Sequence, residues 1–228
     1  VRAGDAITHL MVCGPSGLEA IKTRQVIDCT GEAQVVHAAG FATMKGRPED
    51  GLQLPTSLMY FVRHLDEGVE RHLLPDGFVE SRIEAKDDMP MTSPWPNGPG
   101  SNAIKIKIPF VDATDTASLT QGEIRARRQM MRTLDFMQKH EKKAWVLDHC
   151  SPIIGIREGR RAVGDYVLNV DDVRAGRSFD DAVAVGVFYL DGHKPDDDKR
   201  TYILPKDVLK IPPYQIPLRS LLVKDAEN

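Results

Sequence analysis

One short segment of the chain concentrates side chains that bind anions. Between Gly155 and Leu168 the sequence places three arginines, Arg157, Arg160 and Arg161, among three glycines. Guanidinium groups stay charged when half buried and match the geometry of carboxylates and phosphates, and glycine lets the backbone approach a ligand closely. This composition is typical of the rim of a site for an anionic or polarised ligand.

The same segment also has a simpler interpretation, as an arginine-rich turn. Its charges would then be solvated or paired with Asp165, Asp171 and Asp172, since charge runs usually mark solvated faces. Extended and helical conformations place different members of the arginine set on one face. The sequence therefore leaves open which of Arg157, Arg160 and Arg161 faces a site.

The histidines supply one further candidate. His193 follows the turn residues Asp191 and Gly192 after an apolar run, and the alternative is a surface turn histidine without a role in chemistry. The other histidines are scattered, so the sequence supports no metal site. His149 and Cys150 are neighbours on an extended segment and point to opposite faces, which indicates a structural pair rather than a thiol and its base.

A strand-to-helix junction near the N-terminus could contact a phosphate or a ribose. The apolar residues Val26 and Ile27 lead into Thr30 and Gly31, and a helix is predicted from Glu32 until just before a glycine at position 40. Such a junction exposes backbone N–H groups at a helix N-terminus. A single Thr-Gly pair is a weak signal, because any turn between a strand and a helix can contain it.

The overall composition excludes several classes of protein. Of the 228 residues, 41% are hydrophobic and 28% charged, which is ordinary for a globular protein with a sizeable core. The net charge of −3 does not indicate nucleic-acid binding, and no apolar run approaches the length needed to span a membrane. Neither a targeting segment nor a disulfide or zinc spacing among the three cysteines is visible, so a cytoplasmic protein is expected.

Hydrophobic patterning predicts an α+β fold in which a mixed sheet is covered by one long helix. Strands are predicted at 57–63 and 102–108, the second with one face in water. The helix is predicted over 120–143, with Thr120 and Glu123 as a capping box and the stripe of methionines as core. The region 89–100 is predicted to be a proline- and glycine-rich loop.

The two ends of the chain are predicted to be mainly strands. A β-hairpin with its turn at 14–17 is expected within residues 6–28. Short helices are expected around 67–74, after a cap at Asn169 or Asp171, and after Ser178. Strands are expected at 185–190, 202–204 and 214–219. Because both ends stop in a strand-like pattern, the chain is expected to be part of a longer protein.

Several of these segments, taken in order, resemble a known family. The matching segments are 26–33, 119–128, 155–168, 172–182, 191–193 and 214–221. They resemble the bacterial FAD-dependent oxidoreductase family of fumarate-reductase-like flavoproteins, within the glutathione-reductase-like superfamily. A G-x-G-x-x-G unit after a strand, which holds the FAD pyrophosphate in that family, does not occur in this sequence.

The resemblance implies a division of the chain and a cofactor. Residues 1–45 would be a remnant of the FAD-binding domain, 46–212 the substrate (cap) domain, and 213–228 a strand that returns toward the FAD domain. FAD would be the cofactor of the full-length protein, and this chain alone is expected to bind it weakly or not at all. The expected partner is a small-molecule substrate, with homo-oligomerisation left open, and neither nucleic acid nor a membrane span is expected.

The resemblance also assigns roles to individual residues. Thr30, Gly31 and Glu32 would lie near the FAD. The residues that would face the isoalloxazine and the substrate are Arg157, Arg161, His193 and Arg219. The implied activity is flavin-dependent oxidation or reduction of a small metabolite. The alternatives are a non-catalytic binding or interaction module on the same cap fold, and a regulatory domain that binds anions through its arginines.

Overall fold

The computed structural model describes residues 1–66, 68–70, 73–199 and 210–228. The helices are α1 (Gln34–Ala38), α2 (Thr116–His140) and α3 (Val170–Ala175). The strands are β1 (Arg2–Ala3), β2 (Ala6–Ile7), β3 (His9–Gly14), β4 (Gly17–Lys22), β5 (Thr43–Lys45), β6 (Thr56–His64), β7 (Thr92–Pro96), β8 (Ser101–Ile108), β9 (Trp145–Cys150), β10 (Arg160–Ala162), β11 (Ala182–Gly186) and β12 (Tyr214–Pro217). This content confirms the predicted α+β class with one long helix.

Internal contacts divide the chain into two compact units. Unit 1 comprises Val1–Lys45, Arg160–Asp191 and the described C-terminal residues 210–228, and unit 2 comprises the described residues of Gly46–Gly159 together with 192–199. The sequence predicted a continuous substrate domain over 46–212, whereas Arg160–Asp191 packs within unit 1, because β10 pairs with β5 and β11 pairs with β12. The assignment of FAD-binding and substrate-binding roles to these parts of the chain stays a prediction.

Unit 2 is built on a four-stranded sheet in the order β7-β8-β6-β9, whose neighbouring strands run antiparallel. The sheet was predicted to be mixed. Every second residue of β6 points into the core, and Leu58, Tyr60 and Val62 are fully buried there. Burial of one such side chain contributes roughly 1.5–3 kcal/mol. The region predicted as a loop contains β7, whose Pro94 and Pro96 are tolerated because β7 lies at the edge of the sheet.

Helix α2 covers one face of this sheet, as predicted. Its residues Ala126, Met130, Leu134 and Met137 join the core cluster of β6 and β8, so the methionine stripe is core. The predicted N-cap is wrong. The helix begins one turn earlier, where the Asp115 carboxylate accepts a hydrogen bond from the Ser118 N–H at 2.6 Å.

The prediction that the basic residues of β8 face water is wrong for Lys107, which exposes only 5% of its surface. The segment 192–199 packs against this part of the sheet, where the Met91 N–H donates to the Asp198 carbonyl at 2.7 Å. Burial lowers the pKa of Lys107, while the nearby carboxylates of Asp197 and Asp198 raise it. A strand pattern cannot reveal this burial, because the covering segment lies far along the chain.

Unit 1 contains small antiparallel sheets around a minor core of Ile7, Val36 and Phe41. The predicted hairpin is present as β3–β4, which turns between Gly14 and Gly17. The helix predicted after Ser178 is wrong, since Ala182–Gly186 forms β11 and pairs with β12. The predicted helix around 67–74 overlaps positions outside the described residues, and the predicted strand 202–204 lies wholly outside them.

No helix in the described part of the chain combines the length and apolarity that crossing a membrane requires.

Candidate functional site

Arg219 lies in unit 1 directly after β12, in the short 3-10 turn Leu218–Ser220. Its guanidinium forms an ion pair with Asp181, with Nη1 and Oδ1 separated by 3.5 Å, and its backbone N–H donates to Asp181 Oδ2 at 3.1 Å. The guanidinium also lies 5.2 Å from the centre of the Tyr166 ring and 5.5 Å from that of Phe179, within cation–π range. Its side chain keeps 45% of its surface exposed. Arg219 is therefore an oriented cation that a ligand can still reach.

The ring that lies beneath Arg219 is itself fixed by a buried carboxylate. The Tyr166 hydroxyl donates to Asp172 Oδ2 at 2.7 Å, and Arg177 Nη1 lies 2.8 Å from Asp172 Oδ1. Asp172 exposes 3% of its surface. Burial acts to raise the pKa of Asp172, but the hydrogen bonds from Tyr166 and Arg177 outweigh it and leave that pKa lowered. The bond to Asp172 raises the pKa of Tyr166, so its hydroxyl stays protonated as a donor.

We call this group the Arg219 cluster; its members are Tyr166, Asp172, Arg177, Phe179, Asp181 and Arg219. The Tyr166 and Phe179 rings meet edge to face, with centroids 5.3 Å apart. Of the two predicted caps, Asn169 is the one that caps helix α3, by accepting hydrogen bonds from the N–H groups of Asp171 and Asp172. The cap orients Asp172, because the Asp172 carboxylate in turn accepts a hydrogen bond from the Asn169 N–H at 3.1 Å.

Sequence reasoning proposed Arg219 as a site residue, from the family resemblance, and missed the partners that position it. The only signal was indirect, since one interpretation of the arginine-rich turn had its charges solvated or paired with Asp165, Asp171 and Asp172. Asp171 pairs with Arg174 inside helix α3 and Asp172 pairs with Arg177 just after it, and the sequence analysis singled out neither arginine. Asp181 was not recognised as a partner because a helix was wrongly predicted after Ser178.

The strand-to-helix junction in unit 1 differs from the expectation of free helix N–H groups. Asp28 Oδ2 accepts hydrogen bonds from the N–H groups of Val35 at 3.0 Å and Val36 at 3.1 Å. The Thr30 hydroxyl donates to Asp28 Oδ1 at 2.7 Å and accepts from the Gln34 N–H at 2.9 Å. The first N–H groups of helix α1 are thus satisfied by the chain's own side chains.

The turn before helix α1 offers a different set of polar groups. Gly31 adopts a φ of +82° and Ala33 a φ of +48°. Within the described residues, no acceptor bonds the backbone N–H groups of Gly31, Glu32 and Ala33, and the Glu32 carboxylate has no partner. These groups fit contact with a ribose hydroxyl or phosphate oxygen of FAD, whereas the N–H groups of the helix do not.

The remaining candidates are divided between the two units. Arg161 lies in unit 1 on β10, where it is exposed and pairs with Met44 of β5, while the adjacent Arg160 is half buried. Arg157 and His193 lie in unit 2, where Arg157 is exposed and His193 is buried with 7% of its surface exposed. Thr30, Gly31, Glu32, Arg161 and Arg219 therefore share unit 1.

The arrangement in unit 1 can bind and stabilise negative charge.

His149 stacks on Phe61 with ring centroids 4.2 Å apart, while Cys150 packs against the core, so the two point apart as predicted. Among the described residues, no group of three or more histidine, cysteine or acidic side chains could hold a metal ion.

Comparison with known proteins identifies the family. No solved structure matches the chain. A sequence model described as FAD dependent oxidoreductase matches residues 1–228, the whole of the chain. The chain therefore belongs to the FAD-dependent oxidoreductase family.

Proposed function

We propose that this chain is the central, substrate-facing portion of a flavin-dependent oxidoreductase that acts on a small anionic or hydroxylated metabolite. Bound FAD supplies the redox chemistry by accepting or donating a hydride. The observation that carries the proposal is Arg219, a cation held by Asp181 and two aromatic rings while nearly half of its side chain is exposed. Family membership supports the flavin chemistry, and the substrate class follows from the charge of the candidate residues.

The chemical role of Arg219 follows from where charge changes during the reaction. Transfer of a hydride or of electrons leaves negative charge on the reduced cofactor or on substrate oxygens. A guanidinium that is already oriented stabilises this charge without reorganisation at the moment of reaction. Asp181, Tyr166 and Phe179 act as positioning residues, because they hold the guanidinium from the sides that the ligand does not use.

The other candidate residues have proposed supporting roles. Arg157 and Arg161 are exposed and would contribute further donors to substrate carboxylate or hydroxyl oxygens. His193 is buried, and we assign it a hydrogen bond to the substrate or an exchange of its proton. Thr30, Gly31 and Glu32 would contact FAD through the turn that precedes helix α1. Homo-oligomerisation and a cytoplasmic location stay predictions.

The test uses the protein expressed from the complete gene. We expect the purified protein to show the visible absorbance of bound flavin. Reductive titration should then give a more negative flavin midpoint potential for Arg219→Gln than for wild type, because a cation that stabilises the reduced flavin is lost. Arg174→Gln is the matched control, since Arg174 is an equally exposed arginine of unit 1 that pairs with Asp171.

Two results would contradict the proposal. A protein from the complete gene that stays colourless with added FAD would favour the non-catalytic binding module. If Arg219→Gln and Arg174→Gln shift the flavin midpoint potential equally, Arg219 does not act on the flavin.

A further inference from the structure

Unit 2 contains a cavity of about 630 Å³ that includes none of the residues proposed above for flavin chemistry. It lies between the end of β8, one face of helix α2 and the segment 78–81. Pockets for small molecules commonly enclose about 300–1,000 Å³. The cavity is therefore large enough to hold a metabolite.

Basic side chains dominate the lining. The basic residues are Lys107, Arg125, Arg127, Arg128 and Arg132, and the acidic residues are Glu80 and Asp198. Arg127 is neutralised by an ion pair with Glu123. Arg125, Arg128 and Arg132 have no carboxylate partner in the part of the chain that the structure describes. The cavity thus presents three uncompensated guanidinium groups.

These three arginines share one face of helix α2. Positions 125, 128 and 132 follow the i, i+3, i+7 spacing that brings side chains together on a helix surface. Like charges at this spacing destabilise a helix. A bound anion would offset this electrostatic repulsion and so stabilise the helix.

Two of the guanidinium groups are oriented by neutral acceptors. Arg132 Nε donates to the Ser81 carbonyl at 2.7 Å, and Arg125 Nη2 donates to the Phe110 carbonyl at 2.9 Å. No side-chain hydrogen bond of Arg128 is formed within the described residues. Arg132 Nη1 also donates to Gln129 Oε1 at 2.7 Å. These neutral partners fix the side chains and leave their charge, and the N–H groups outside these bonds, available for a ligand.

Most of the remaining lining is apolar, apart from Ser81 and Gln129. Phe78 exposes 58% of its surface although it lines a cavity, and the buried Val79 and Ile108 lie beside it. Met131 contributes a flexible side chain that adapts to different ligand shapes. An apolar wall opposite a row of arginines suits a molecule with a hydrocarbon part and a charged end.

We propose that this cavity binds a small organic anion, with the anionic group on Arg125, Arg128 and Arg132 and an apolar chain or ring against Phe78 and Met131. The site goes beyond the proposed oxidoreductase function and does not depend on FAD. Its binding can therefore be measured independently of flavin binding, on the protein expressed from the complete gene.

Calorimetric titration with octanoate, acetate and inorganic phosphate tests the site. We expect octanoate to bind at one site, more tightly than acetate or phosphate, because only octanoate combines an anion with an apolar body. Arg128→Gln should weaken octanoate binding by about tenfold or more, the effect of losing one charge-assisted hydrogen bond. The control Arg63→Gln removes an arginine of the same unit, 60% exposed and outside the cavity, and should leave the affinity unchanged.

A second variant separates the apolar contact from the charge. Phe78→Ser should weaken octanoate and leave phosphate unaffected, and circular dichroism of each variant verifies that it is folded. Absence of octanoate binding, or equal losses in Arg128→Gln and Arg63→Gln, would overturn the proposal. Equal affinities for phosphate and octanoate would also overturn it, since a surface charge patch alone would then account for binding.

Discussion

Asp28 and Val36 are joined across a turn, because the carboxylate Oδ2 of Asp28 accepts the backbone N–H of Val36 at 3.1 Å. The same carboxylate also accepts hydrogen bonds from Val35 and Thr30. One side chain therefore caps helix α1 and closes the turn that precedes it. This turn carries Gly31 and Glu32, the residues that the family resemblance places near FAD.

The cap makes stability of unit 1 depend on pH in a defined direction. Burial acts to raise the pKa of Asp28, but the hydrogen bonds prevail and lower it below 3.8. A carboxyl group with a lowered folded pKa contributes stability that is present above its unfolded value and is lost as the pH falls through the folded value. We expect Asp28→Asn to reduce the free energy of unfolding by about 1 kcal/mol at neutral pH.

Urea denaturation at a series of pH values measures this effect. The difference between wild type and Asp28→Asn should be constant at neutral pH and should shrink as the pH falls below 3.8. A difference that stays the same in acid would show that the charge of Asp28 does not stabilise the turn. Asp5→Asn serves as control, since Asp5 is an exposed aspartate of the same unit.

The structure shows which parts of the fold are encoded locally. The hairpin at Gly14 and Gly17 and the cap at Asn169 were predicted because turn and capping chemistry act within a few residues. The start of α2 was wrong by one turn, since Thr120 and Asp115 are both good caps and the sequence favoured the box with Glu123. Glu123 instead accepts a hydrogen bond from the Ile154 N–H at 2.8 Å.

Features that depend on distant segments could not be predicted. The first residues of β11 were predicted as helix, and only its end as strand, because its pairing with β12 lies more than twenty residues away along the chain. The Arg219 cluster joins residues from 166 to 219, and no spacing rule brings a guanidinium onto a ring over that separation. Family resemblance proposed Arg219 as a site residue, whereas its partners became visible only in the folded structure.

Gly122 tests how tightly helix α2 packs. A Cβ at this position would lie 3.0 Å from Val111 Cγ2 and 3.2 Å from Ile154 Cδ1. Alanine favours the helix by about 1 kcal/mol, but overpacking costs about 1–3 kcal/mol, so we expect Gly122→Ala to destabilise the protein. Chemical denaturation of Gly122→Ala, Val111→Ala and the double variant should show that the smaller residue at 111 relieves the cost. Additive losses would contradict the contact.

The buried carboxylate of Asp135 tests the contribution of its ion pairs, one within helix α2 and one to Arg82. Asp135 exposes 2% of its side chain and lies 2.7 Å from Lys139 Nζ and 3.5 Å from Arg82 Nε. Removing Lys139 leaves the buried charge of Asp135 only partly compensated. We therefore expect Lys139→Gln to lower the free energy of unfolding by about 1–3 kcal/mol. The loss is smaller than for a buried carboxylate with a single cationic partner, because Arg82 remains. Lys22→Gln on the exposed strand β4 should change it little. Equal thermal stability of both variants would rule out a stabilising pair.

Arg219 gives the sharpest test of the proposed chemistry, through rescue by a small molecule. In the flavoprotein expressed from the complete gene, Arg219→Ala should lower kcat/KM by about a hundredfold, the loss typical of one preorganised donor. Because 45% of the Arg219 side chain is exposed, guanidinium ions at millimolar concentration should enter the space left by Arg219→Ala and restore part of the rate. Steady-state kinetics with guanidinium, and with sodium at the same ionic strength, separate binding at the site from a general salt effect. Asp181→Asn should show a smaller loss that guanidinium does not rescue, since its own Arg219 is still present. Equal responses of Arg219→Ala to both cations would mean that Arg219 acts only on the fold of unit 1.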